Sequence, residues 1–182
     1  IAYFSPPLRK PSVENGDADL VLYDTTSTPV PIHVRGRHIV VMAPDSTRRR
    51  PVIEAYEISN DSTVTRVAGV AGRPTFEAVL PNDALDPRAT DGDVSADAVR
   101  FSHGRAQLFA ALAPGIKQVA FRYHLAPNDR PVAIPSLAPV SVLEVLVEGS
   151  VATVSGAGLV ELEPTVLDGR RFRRFLSQDS PA

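Results

Sequence analysis

The chain of 182 residues has no cysteine and no tryptophan, a single methionine, and an aromatic complement of only four tyrosines and seven phenylalanines. Lack of cysteine excludes disulfide staples, thiolate metal sites and cysteine nucleophiles, and removes pairing as a guide to redox compartment. Charge of one sign is also missing. Nineteen Lys and Arg stand against 21 Asp and Glu, for a net charge of −2, so no overall field recruits nucleic acid and any anion binding must be local. No apolar run approaches the ~20 residues needed to cross a bilayer as a helix, and no charged start leads into an apolar stretch of signal-peptide type. The folded part is therefore expected to be soluble. The first residue is Ile1 rather than Met, which reads as a processed or trimmed product. Catalytic signatures are scarce too: there is no G-x-S-x-G elbow and no glycine-rich phosphate loop before a helix. The nearest approach, VSGAGLVE at 154–161, lies between strand signals and reads as a turn.

What the chain does have is 17 prolines, 11 glycines and 43% hydrophobic residues, enough apolar content for a core but with its helical patterns constantly interrupted. Short strand-like runs recur from Asp19 onward: DLVLYD, PIHVRG, HIVVMAP, PVIEAYEIS, TVTRVAG, PTFEAVLP, AVRFSH, AQLFAAL, QVAFRYHLA, PVAIP, SVLEVLVEG, VATVSG, LVELEP and RRFRRFL. Such spacing predicts an all-β fold, an antiparallel β-sandwich of immunoglobulin or fibronectin-III-like type. No candidate crossover helix supports a doubly wound sheet. Residues 1–18, with Pro6, Pro7 and Pro11 and no period, read as an extended arm tipped by Tyr3 and Phe4. Residues 19–165 read as the sandwich body, and 166–182 as a basic aromatic strand or tail forming a C-terminal β extension. A seam between sheets or units is expected near 126–139, where Pro127, Pro131, Pro135 and Pro139 fall.

The stretch APGIKQVAFRYHLAP at 113–127 shows the reasoning at one element. Val119, Phe121, Tyr123 and Leu125 alternate with Gln118, Ala120, Arg122 and His124, so a pleated strand buries the first set and solvates the second. Pro114-Gly115 is turn chemistry. Together with SHGR at 102–105, it makes Ala98 to Leu125 an expected three-stranded meander.

Two basic runs are the strongest candidates for a binding role: Arg48, Arg49 and Arg50, and then Arg170, Arg171, Arg173 and Arg174 interleaved with Phe172 and Phe175. The second run reads as an edge strand or arm able to grip an acidic protein surface or anionic lipid headgroups, against the plain alternative of solubilising charge on an edge. Nucleic acid is not expected, because no aromatic platform accompanies the charge. His33, His38, His103 and His124 lack the spacing and third ligand of a metal site and read as surface or hydrogen-bonded histidines. The acidic stretch 83–97, with Asp83, Asp86, Asp91, Asp93 and Asp97, lacks the EF-hand order and reads as a solvated loop rather than a calcium site. Glu54, Glu57, Glu77, Glu144 and Glu148 could pair for glycoside chemistry only if the fold brought two of them across a cleft. Asn60-Asp61-Ser62 fits a glycosylation sequon.

PVIEAYEISNDSTVT, PTFEAVLP and FAALAPGIKQVAFRYHLAP, with Leu112, Pro114 and Gly115 turning into a strand that carries Tyr123, resemble exported bacterial β-sandwich modules of the fibronectin-III-like or carboxypeptidase-regulatory-like kind, over about Val52 to Val147. The missing Cys…Trp…Cys core disfavours true immunoglobulin domains. A narrower resemblance is to the membrane-extrinsic subunit that braces a bacterial photosynthetic reaction centre within its light-harvesting ring. These resemblances imply a non-catalytic subunit, periplasmic and peripheral to a membrane, without cofactor or metal, holding membrane-protein subunits together. Tyr3, Phe4, Phe172 and Phe175 would then be anchors and the arginines orienting charges. The competing class is a carbohydrate- or peptide-binding module of an exported system. On the bracing reading, deleting residues 1–18 is expected to leave the sandwich folded in a thermal melt while weakening its co-purification with membrane partners.

Overall fold

A computed structural model describes residues 2–4, 21–69, 72–90, 92–127, 131–149 and 152–181. Its strands are β1 (Ala2–Phe4), β2 (Val21–Tyr23), β3 (Thr25–Thr26), β4 (Ile32–Val41), β5 (Arg50–Asn60), β6 (Thr65–Arg66), β7 (Phe76–Val79), β8 (Ala84–Thr90), β9 (Val99–Ser102), β10 (Arg105–Leu108), β11 (Gly115–Leu125), β12 (Val140–Glu148), β13 (Val160–Leu167) and β14 (Arg170–Ser180). Among the described residues the only helical turn is a 3-10 turn at Ala96–Ala98. The all-β sandwich expected from the sequence is the fold observed.

A seven-stranded sheet in the order β13-β14-β12-β4-β5-β11-β8 forms one layer, and a small sheet, β7-β10-β9, packs on part of it. The alternation read at 118–125 holds: Val119, Phe121, Tyr123 and Leu125 are buried. Phe76 of β7 meets Tyr56 edge-on at 5.4 Å, and Phe101 of β9 meets Phe121 at 6.0 Å, so aromatic contacts join the layers.

Several local expectations are corrected. PIHVRG and HIVVMAP are one strand, β4, kept continuous by a register shift between Val34 and Gly36. Ala98 to Leu125 is not a meander. β9 and β10 form a hairpin through His103 and Gly104, at φ of 50° and 70°, the conformation a two-residue turn needs. The chain then leaves the small sheet, and β11 joins the large one, turning at Gly115 with φ of 105°. Buried Thr75 holds this exchange, its hydroxyl donating to the carbonyls of Leu108 (3.0 Å) and Ala110 (2.8 Å). The acidic stretch 83–97 is not all loop, since β8 occupies 84–90 and pairs with β11. PVAIP and the described residues 152–156 of VATVSG form no strands.

β12 runs parallel to β4, which demands a crossing connection. Starting from β11, that connection passes β5 and β4, and its residues 131–139 carry no regular structure. Val132 and Ile134 pack on the core, as do Ala152, Val154 and Leu159 from the segment before β13. These segments cover the part of the sheet that the small sheet leaves open. β13 and β14 close the sheet through Asp168 and Gly169, again at positive φ. β14 is thus an interior strand, and β13, broken by a register shift between Leu162 and Thr165 around Pro164, is the edge.

One polar cluster sits inside the apolar layer. Glu54 is fully buried and Arg37 is 2% exposed. Glu54 Oε1 accepts from Arg37 Nε (2.8 Å) and from the Tyr56 hydroxyl (2.5 Å), and Oε2 accepts from the Tyr123 hydroxyl (3.0 Å). Arg37 Nη2 lies 2.5 Å from Oε1 as an ion pair without hydrogen-bond alignment, and Nη1 donates to the carbonyl of Pro135 (2.8 Å). Burial opposes the Arg37 charge, but Glu54 outweighs it, so the guanidinium is held above its ordinary range. Burial, then Glu54, pushes both tyrosine hydroxyls up, well out of the range in which they ionise. Removing one partner leaves a buried charge alone, so Glu54→Leu is expected to lower unfolding free energy by about 3–5 kcal/mol. Arg37→Met combined with Glu54→Leu should cost less than Glu54→Leu alone. Urea unfolding of the three chains checks both.

Candidate interaction surface

The candidate residues are placed very unequally. Tyr3 and Phe4 lie in β1, whose backbone pairs with β2, Tyr3 opposite Leu22 and Phe4 opposite Val21; residues 5–18 of the arm lie outside the described residues. Phe172 and Phe175, offered by the sequence as surface anchors, are 1% and 4% exposed. That reading is corrected: both side chains are buried within the fold, Phe175 in the hydrophobic core.

The two basic runs converge on one end of the large sheet, which their separation in sequence concealed. Glu148 at the end of β12 accepts from the backbone N–H of Ala43, before the β5 hairpin, at 2.8 Å and faces Arg170 at 3.4 Å. Most of the arginines there already face a carboxylate: Arg49 with Asp86 (3.2 Å), Arg173 with Glu161 (2.7 Å) and Arg174 with Glu144 (2.6 Å). Arg50 donates to the carbonyl of Met42. Among the described residues, only the Arg48 and Arg171 guanidiniums of these runs lack a partner. Much of the run's charge is consumed within the fold.

The broader surface is the face of the large sheet turned away from the core. Ladder partners define two rows across all seven strands. One row reads Leu162, Arg174, Leu146, Val40, Ile53, Arg122 and Arg88; the next reads Val160, Leu176, Glu144, His38, Ala55, Ala120 and Thr90. A sheet with one face in water ordinarily alternates apolar-in with polar-out, yet most of these outward positions are apolar. Val160, Leu162 and Ile53 are exposed, and Val40, Leu146 and Leu176 are half-buried.

The middle of this face carries an ion network. His38 Nδ1 lies 3.0 Å from Glu144 Oε2, Arg174 Nε lies 2.6 Å from Oε1, and His38 Nε2 is 3.9 Å from Glu57. Gly36 makes room for it: a β-carbon there would stand 2.8 Å from Glu57 Oε2 and 3.1 Å from His38 Nε2. The Glu144 carboxyl is pushed up by burial and pulled down by His38 and Arg174, and the net shift is downward. On the exposed rim, the hydrogen bond from Arg173 lowers Glu161 likewise.

Other candidate chemistry does not assemble. Among the described residues no group of three or more His, Asp or Glu could hold a metal ion. In the acidic stretch Asp86 faces Arg49 and Asp93 accepts from the Gln118 N–H, while Asp91 lies outside the described residues. Glu54, the carboxylate best isolated from water, is sealed by its own donors. His33 lies 3.8 Å from Asp61, and His103 forms the β9–β10 turn. Asn60 of the sequon is 3% exposed, with its amide donating to the carbonyls of Val64 and Leu112 at 2.8 Å each. That amide is a fold fastener, unavailable to a sugar.

A carboxylate whose folded pKa is depressed stabilises the fold fully above the unfolded carboxylate range, and this contribution is lost as pH falls through the folded value. Glu144→Gln is therefore expected to cost about 1 kcal/mol at neutral pH, and the difference from the parent should vanish in acid. Denaturant melts across that pH range check the sign.

No protein-family model and no curated protein sequence matches the chain. Among solved structures it is similar to the M1 zinc metallopeptidase from Deinococcus radiodurans, at 12% identity and a TM-score of 0.45, covering 81% of this chain and 39% of that one. It is also similar to a mutant of a two-domain M1 zinc metallopeptidase bound to L-arginine, at 16% identity and a TM-score of 0.41, covering 81% of this chain and 39% of that one. The chain spans about two fifths of the length of these structures.

Proposed function

We propose that the protein is a non-catalytic assembly subunit that binds and braces membrane-protein partners from the periplasmic side, in the setting of a photosynthetic reaction centre and its antenna that the sequence resemblance implies. The observation that carries this reading is the outer face of the seven-stranded sheet, where apolar side chains from six strands lie in two ladder rows. Apolar side chains at the outward positions of a sheet support a docking role, and Ile53, Val160 and Leu162 are the exposed ones. Arginines at the margins supply orientation, and the buried cluster supplies rigidity, so little ordering cost falls on binding.

A peptide-binding module is the second reading, and β13 favours it. Four of its side chains, Val160, Leu162, Val166 and Leu167, are exposed apolar groups on the edge strand, a patch that the apolar side chains of a peptide would contact. A carbohydrate platform needs a row of exposed aromatics, and from Tyr23 onward none of the aromatic side chains among the described residues is exposed.

Replacing two exposed apolar residues, Ile53→Asp with Leu162→Asp, is expected to leave the thermal melt nearly unchanged and to remove membrane-protein subunits from the material isolated in mild detergent. Retention of those subunits by the double variant would count against the outer face as the docking surface.

A further inference from the structure

One pair of charges on the outer face has no countercharge among the described residues. Arg88 of β8 and Arg122 of β11 are directly opposed in the ladder, which places their β-carbons about 5 Å apart on one face. Both side chains are exposed. Arg35, Arg37, Arg49, Arg105, Arg170, Arg173 and Arg174 each face a carboxylate, but among the described residues neither the Arg88 nor the Arg122 guanidinium has a partner. Like charges directly opposed across a ladder work against the sheet. Their row neighbour is Ile53, and Ala120 and Thr90 stand opposite each other one row along, so no carboxylate adjoins them in either row. Asp86, on the same strand as Arg88, is engaged by Arg49.

We propose that Arg88 and Arg122 together form an anion site that takes the phosphate of an anionic lipid headgroup and seats this edge of the sheet on a membrane surface. Two guanidiniums rooted about 5 Å apart on adjacent strands can both donate N–H groups to the oxygens of one phosphate. The pair has no backbone donors and no enclosing wall, so it would hold a single free phosphate weakly. A leaflet overcomes that weakness by offering phosphates at high density and a negative surface potential. Position fits as well. A twisted sheet is saddle-shaped across its middle, and a planar leaflet reaches its face most readily near an edge strand such as β8. Ile53, 39% exposed beside Arg122, then meets the headgroup boundary with an apolar side chain. The inference rests on the membrane-peripheral part of the proposed function and identifies the contact that provides it.

The test is co-sedimentation of the full chain with vesicles of phosphatidylcholine alone or mixed with phosphatidylglycerol. Binding is expected only to the mixed vesicles, fading as salt shortens the screening length from about 10 Å toward about 3 Å. Each basic residue near an anionic surface contributes about a factor of five, so Arg88→Gln with Arg122→Gln should reduce partitioning about 30-fold. Arg48→Gln with Arg171→Gln, the other partnerless pair, should retain most of it, and thermal melts should match the parent for both. Equal binding to both vesicle types, or full binding by the Arg88/Arg122 variant, overturns the proposal. Displacement by inorganic phosphate beyond that by chloride at matched ionic strength also overturns it, assigning the pair to free phosphate. Vesicle binding lost in this variant with co-purification of membrane proteins intact supports the lipid site. Vesicle binding by the parent with no co-purifying partner leaves the lipid site standing and removes the bracing role.

Discussion

The structure depends on one buried carboxylate. Glu54 draws donors from β4, through Arg37, from its own strand, through Tyr56, and from β11, through Tyr123. Arg37 in turn fastens the crossing segment at Pro135. A one-residue slip of β4, β5 or β11 would carry a member of this set to the opposite face and strand a charge in the core. Three central strands and the connection above them are thereby locked in one register. The apolar residues around the cluster supply most of the burial; the cluster specifies which arrangement they adopt.

That lock divides the sheet into two faces with different duties. Inward positions are filled by the small sheet and by two irregular segments, one on each side of β12. Outward positions keep apolar side chains where water would ordinarily select polar ones. The polar groups that do occur outside are organised: Gly36 admits the approach of Glu57 to His38, and Glu144 joins His38 to Arg174. Such a face is held in one register from beneath, a property useful to a surface that must meet a partner without rearranging.

How much of this was legible in the sequence varies with the range of the interaction concerned. The alternation at Val119, Phe121, Tyr123 and Leu125 is a local property of the pleat, and it identified both the strand and its buried side. Pairing partners are not local. Nothing in PIHVRG or SVLEVLVEG shows that β12 lies parallel to β4, because the connection is an irregular proline-rich segment instead of a helix. β8 is not legible locally because Asp86 and Pro87 are loop-like by composition, and only its ladder with β11 makes 84–90 a strand. Arg122 is assigned to the outward side by its period, but its companion Arg88 lies in β8, which only the long-range ladder defines. The basic run 170–174 reads as a terminal strand or tail because composition alone does not show that Asp168-Gly169 folds it back onto β13 as a hairpin. Phe172 and Phe175 were misplaced for the same reason. Glu54 was one carboxylate among several until the fold brought an arginine and two tyrosines around it.

The rim at β13 combines greasy side chains with a broken template. Pro164 offers no amide hydrogen, and the slip in pairing between Leu162 and Thr165 interrupts the straight row of backbone groups that another copy would need to stack upon. Adhesion through side chains is thus uncoupled from growth through the main chain. A crowded layer of these molecules could cling to a foreign surface without zippering into fibres.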